Sequence, residues 1–194
     1  MARSLCFSVP TKTGAFMTRL IIGLFVFIPF YCPASVDIAF VELRTPAGRI
    51  VQLEKDGRFA HVAISFQGNW LHAYPRHGVE IISRADLEKI GAVRAIVTVP
   101  ELAPLSPDQV DKYLGKPYDP QFSWQDDKIY CSELVAKLLG IAPRPMVFDP
   151  ELWPKNYQYL DGQPGQSPDE IFRLLQVQGY KAQIFKGQCS KVFR

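Results

Sequence analysis

Histidine and cysteine are scarce in this chain. Its 194 residues hold three histidines, His61, His72 and His77, and four cysteines, of which Cys6 and Cys32 fall within the first 35 residues. There is no CxxC pair, no HExxH, no G-x-S-x-G turn and no glycine-rich phosphate loop, so the motifs of zinc peptidases, serine hydrolases and nucleotide-binding enzymes are missing. No two histidines stand at the i, i+4 spacing of a helical ligand pair, and neither a metal nor any other cofactor is expected. An excess of charge is lacking as well. Against 22 basic side chains stand 19 acidic ones, and the first 35 residues contain three of the basic ones (Arg3, Lys12, Arg19) and no acid. The remainder is balanced at 19 of each, which leaves no electrostatic footprint for nucleic acid.

Long apolar runs are also absent. The longest, LIIGLFVFIPF from Leu20 to Phe30, is short for a membrane span, which takes about 20 residues. Behind a basic flank and ahead of small Ala34 and Ser35, it matches the apolar core of a secretory signal, with Met17 as a second candidate start. Residues 1–35 are therefore expected to direct export to the periplasm or the extracellular side and to be removed, leaving one domain over 36–194. An uncleaved anchor is the alternative. Cys131 and Cys189 alone would remain, and Cys189, in the polar tail GQCSK, is not expected to pair with Cys131.

What is present reads as an α+β domain, a mostly antiparallel sheet with helices packed against it. Strands are expected over Asp37–Arg44, Arg49–Glu54, Ala60–Phe66, Trp70–Ala73, Gly78–Ile82 and Val93–Val99. Gly68-Asn69 marks a hairpin turn between the third and fourth of these. Short helices follow Ser83 and Ser106, and Ser167-Pro168-Asp169-Glu170 caps a later one. Between Pro143 and Gly165 little regular structure is expected.

The stretch from Ile129 to Gly140, IYCSELVAKLLG, carries the chemistry. Cys131, Leu134, Val135, Leu138 and Leu139 share one helical face, and Gly140 ends the helix. A cysteine in the first turn sits at the positive end of the helix dipole, which favours the thiolate. A free cysteine is equally often a small buried hydrophobe. Asp126-Asp127 reads as a cap for this helix, and Glu133–Lys137 as an i, i+4 surface pair. In the strand from Ala60, His61, Ala63 and Ser65 alternate with Val62, Ile64 and Phe66. A turn at Gly68-Asn69 sets His72 opposite Ser65, on the face of His61 but about 13 Å along the strand from it. Two histidines on one face and a helix-initial cysteine raise a nucleophile–base reading of Cys131 and His61.

GKPYD (Gly115 to Asp119), the IYCSELV run and the upstream AHVAI and LHA strands resemble the circularly permuted, YiiX/YebB-like branch of the NlpC-type papain-like cysteine peptidases. The histidine precedes the cysteine, which is the permuted order. The resemblance implies a permuted papain-like fold, Cys131 as nucleophile, His61 as base and His72 as the third, orienting residue. It implies acyl transfer on a cell-wall peptide or on an acylated, lipid-like substrate, with peripheral membrane contact as a further expectation. Tyr118 and Tyr130, which lead into the nucleophile, are candidate substrate-binding residues. The aromatic residues around them either line an acyl groove or pack beneath a proline-rich loop. Beside the hydrolase stands a second class of function, an inert papain-like module that binds an envelope component.

Overall fold

The structure, a computed structural model, describes residues 35–186. Residues 1–34 of the signal-like segment and Cys189 lie outside the described residues. No helix among those described is long and apolar enough to cross a membrane.

Six strands form one antiparallel sheet in the order β4-β3-β2-β1-β5-β8. They are β1 (Val36–Glu42), β2 (His61–Phe66), β3 (Asn69–Tyr74), β4 (Gly78–Ile82), β5 (Ala92–Val99) and β8 (Ala182–Ile184). β1 is apolar on both faces because both are covered. Ile38 and Phe40 join Val62, Ile64, Leu71 and Ala73 in the larger core, while Ala39 and Val41 join Ala63 and Trp70 on the other face. The alternation expected for Val62/Ile64/Phe66 against His61/Ala63/Ser65 is thus realised as two separate cores.

Three of the four α-helices among the described residues cover the larger core. The amphipathic helix α3 (Cys131–Leu139) inserts Leu134, Val135 and Leu138, and α4 (Pro168–Val177) adds Ile171 and Leu175. The short α2 (Pro107–Asp111) contributes Val110 and is closed by the Ser106–Gln109 capping box. α1 (Arg84–Ile90), capped by Ser83, seats Leu87 on the opposite face.

Arg49–Glu54 does not form a strand. Its only ladder contact is the single bridge Arg44–Ile50, because β1 already has β2 and β5 on its two edges. The stretch 143–165 is more regular than its composition suggests. β6 (Arg144–Pro145) pairs with β7 (Pro164–Gly165), and a 3-10 helix occupies Lys155–Leu160. At the other edge Val79 accepts from Gly115 and donates to Lys116, so GKPY borders β4. Gly78 has φ +71°, and a Cβ there would run into the Lys116 carbonyl oxygen. This close approach leads the chain to Tyr118 and on to α3.

Candidate active site

The two histidines meet through the register of the β2–β3 hairpin. The turn is Gln67-Gly68, with φ +48° and +78°, and not Gly68-Asn69. Two consecutive positive φ values give the twist that two-residue hairpins favour. Ser65 consequently faces Trp70, not His72. Continued by parity, the register places His72 opposite Ala63, two residues from His61 instead of four. His61 Nε2 and His72 Nδ1 are 2.9 Å apart and hydrogen-bonded. Tyr74 stacks on the His72 ring and meets His61 edge-on.

Cys131 opens α3, buried and without a disulfide partner among the described residues. The β2–β3 ladder stops at Ile64–Leu71. By antiparallel parity the Val62 N–H points toward β3, where it has lost its ladder partner. The Val62 and Ser132 N–H groups instead sit close enough to the sulfur to favour the thiolate. The thiol thus reaches the end of β2 beside the backbone of the residue that follows His61. The described hydrogen bonds include none from the thiol to His61, whose bond goes to His72.

Burial outweighs those donors. It pushes the Cys131 thiol up to about 11, against the direction expected from a helix N-terminus alone. Burial, and then the neighbouring His72, pull His61 down to about 3. At neutral pH the pair therefore rests as a thiol and an uncharged imidazole. His72 is also lowered by burial, partly opposed by Glu80.

Two acidic residues differ from their sequence reading. Glu133 does pair with Lys137, at 2.7 Å, but it is fully buried and not on the surface. One carboxylate oxygen accepts from the Tyr130 N–H at 3.3 Å. Burial raises its carboxyl to about 7. Asp126 does not cap the helix; it binds Lys137 at 2.7 Å, while the N-cap position is Tyr130. Glu80, which the sequence reading passed over, faces His72 across the β3–β4 ladder. Its Oε1 lies 3.4 Å from His72 Nε2. The available signal was its place as the lone polar residue of GVEII, but only the strand pairing shows what it faces.

A cleft of about 240 Å³ opens at Cys131, lined among others by Tyr118, Phe122, Phe148 and Trp153. It is smaller than sites for drug-sized ligands, which start near 300 Å³, and so fits one side chain or a short acyl portion. Phe122, Phe148, Trp153 and Tyr157 also pack on one another. Phe122, Phe148 and Trp153 therefore both line the cleft and pack on one another. Tyr118 is half-buried beside the thiol, whereas the Tyr130 hydroxyl is occupied by the Gln166 N–H. A larger hollow of about 540 Å³ lies at the far end of α3, around Gly140, Arg144 and Tyr180, away from the thiol.

Comparison with known proteins bears on the whole arrangement. Residues 36–152 match the family described as permuted papain-like amidase enzyme, YaeF/YiiX, C92 family. The chain is 29% identical over 132 residues to the uncharacterized protein YiiX of Escherichia coli (strain K12), covering 61% of this chain and 64% of that protein. It thus spans just under two thirds of that relative. A solved structure titled "metalloprotein yiiX from Escherichia coli O157:H7, DUF1105" superimposes with a TM-score of 0.53 at 25% identity, over 78% of this chain and 96% of that one. Among the described residues here, no three of His, Cys, Asp and Glu converge as a ligand set. The two site histidines are bonded to each other, so this donor set does not fit a metal.

Proposed function

Because the chain belongs to the permuted papain-like amidase family, we propose that it is a thiol-dependent hydrolase of amide or ester bonds working through Cys131, His61 and His72. The observation that carries this reading is the 2.9 Å bond from His61 Nε2 to His72 Nδ1. It leaves His61 Nδ1 as the ring nitrogen available to the thiol. As a carbonyl enters, Nδ1 takes the thiol proton and the sulfur electron pair attacks the carbonyl carbon. The backbone N–H of Cys131 meets the developing oxyanion. His61 then returns the proton to the departing amine or alcohol, and water releases the acyl-enzyme. The neutral resting pair suits a base that acts only when substrate arrives.

The substrate class we propose is an envelope peptide or an acylated, lipid-like molecule whose acyl side enters the Tyr118–Trp153 cleft. The signal-like segment extends the proposal to export. A binding module is the second reading, favoured by the buried, uncharged thiol. An acyl-mimicking electrophile separates the two. Mapped at pH 7, the label should sit on Cys131, vanish in Cys131→Ala and fall by about a hundredfold or more in His61→Ala, as for general-base loss. A folded protein whose Cys131 stays unlabelled until unfolding would be a binder.

A further inference from the structure

We infer that Glu80 is a positioning residue of the active site, setting the tautomer of both histidines so that the base nitrogen of His61 is bare. The inference rests on the hydrolase reading above. His72 is completely buried, and its Nε2 has no hydrogen-bond partner within ordinary geometry. Its nearest counter-group is Glu80 Oε1 at 3.4 Å, on the adjacent position of β4. A carboxylate can only accept, so the group it favours at His72 Nε2 is N–H. The other nitrogen of His72, Nδ1, must then be a lone pair. That lone pair accepts from His61, whose Nε2 therefore carries the hydrogen. Neutral imidazole has one N–H, so His61 Nδ1 is left unprotonated and turned to the task of a base.

The relay also acts during the reaction. When Nδ1 takes the thiol proton, the S–H bond breaks, an N–H bond forms and the electron pair stays on sulfur. His61 becomes an imidazolium in a buried site, and its charge is stabilised through His72 toward Glu80. No proton needs to leave His61, as in the orienting role of the third residue of a serine triad.

Glu80 is well placed for this. Its side chain is about one third exposed, on the edge strand, so its own charge remains hydrated. The other groups near it are His77, whose Nδ1 is 2.9 Å from the same oxygen, and the ring of Tyr74 beside both histidines. Lys116 borders β4 through its backbone, but its ammonium goes to the Asp126 carbonyl.

The test uses full-length protein labelled with nitrogen-15 histidine, read by long-range proton–nitrogen NMR at neutral pH, beside the labelling rate of Cys131 by chloroacetamide. In the wild type both His61 and His72 should be Nε2–H. In Glu80→Ala the His72 tautomer should become mixed, His61 should follow, and labelling should slow about ten- to a hundredfold, the range for loss of a histidine's orienting partner. Glu80→Gln keeps an accepting oxygen without the charge, so it should restore the tautomers and part of the rate. Wild-type tautomers in Glu80→Ala, or a Gln variant no better than Ala, would overturn the inference. An equal effect of His77→Ala would overturn it too, by making the loop histidine the partner that matters. An unreactive Cys131 in the wild type sinks the hydrolase reading instead, and the tautomers still decide the role of Glu80.

Discussion

Glu133 lies two positions after Cys131, yet its environment is closed to water. Its carboxyl is raised to about 7 by burial, from 4.5. Between those values the folded chain binds a proton that the unfolded chain lacks, so this contribution to stability is lost as pH rises toward 7. Glu133→Gln keeps an acceptor for Tyr130 and removes the titration. The variant should therefore gain on the wild type as pH goes from 4.5 to 7.5, read as the difference in thermal midpoints. Parallel curves would mean that Glu133 is charged throughout, held so by Lys137. Cys131 shows the same physics. The helix end and the Val62 N–H favour thiolate, but desolvation is larger and acts in the opposite direction.

At the scale of elements, the hairpin matters most. Gly68 holds φ +78° in the turn that sets the register, and Gly68→Ala should cost about 1 kcal/mol because its Cβ meets the following carbonyl in the left-handed region. Urea unfolding measures this. A shift of register would show besides as loss of the His61–His72 hydrogen-bond signature. At the other end of β1, Glu42 is buried against Arg94 at 3.0 Å, with Arg44 and Arg58 alongside. Burial raises its carboxyl, but the three arginines outweigh that and hold it below the ordinary range. The β1–β5 register shifts at Phe40/Val41, and skipping Arg94 there brings the guanidinium to Glu42. Glu42→Ala would strand Arg94, which is itself buried. It should lose about 3–5 kcal/mol, the size seen when one partner of a buried pair is removed. A loss under about 1 kcal/mol would class the cluster with exposed pairs.

For the whole molecule, acid stability follows from the buried His61 imidazole. His61, held near 3 when folded, titrates near 6.5 in an unfolded chain. Between those values the unfolded chain binds the extra proton, so stability falls as pH drops from about 6.5 toward 3, by about 1.4 kcal/mol per pH unit from this group. His61→Gln should flatten the acid limb of the thermal midpoint against pH. An unchanged limb would mean that the imidazole is reached by water and protonated in the folded protein. Export is tested separately by N-terminal sequencing of the envelope fraction. A start near Ser35 or Val36 supports cleavage; an intact Met1 or Met17 on a membrane-bound product replaces cleavage with anchoring.

The residue types and local periodicities were enough to determine the helix that begins at Cys131, its end at Gly140, the capped starts of α1, α2 and α4, and the alternation that puts the two histidines of neighbouring strands on one face of the sheet. These are short-range matters of spacing and backbone preference, and the family resemblance rests on the same short motifs. Tertiary structure decided the rest. The His61–His72 contact depends on a turn placed one residue earlier than glycine and asparagine suggested, since register is a property of paired strands. RIVQLE has strand composition, but its neighbour β1 is already paired on both edges. β8, three residues long, acquires its identity only by lying beside β5. Glu80 and Glu133 are ordinary acids in the sequence; one meets a buried imidazole across a ladder and the other is covered by neighbouring chain. The sign of the thiol shift was likewise out of reach, because desolvation depends on what covers a group and not on what precedes it.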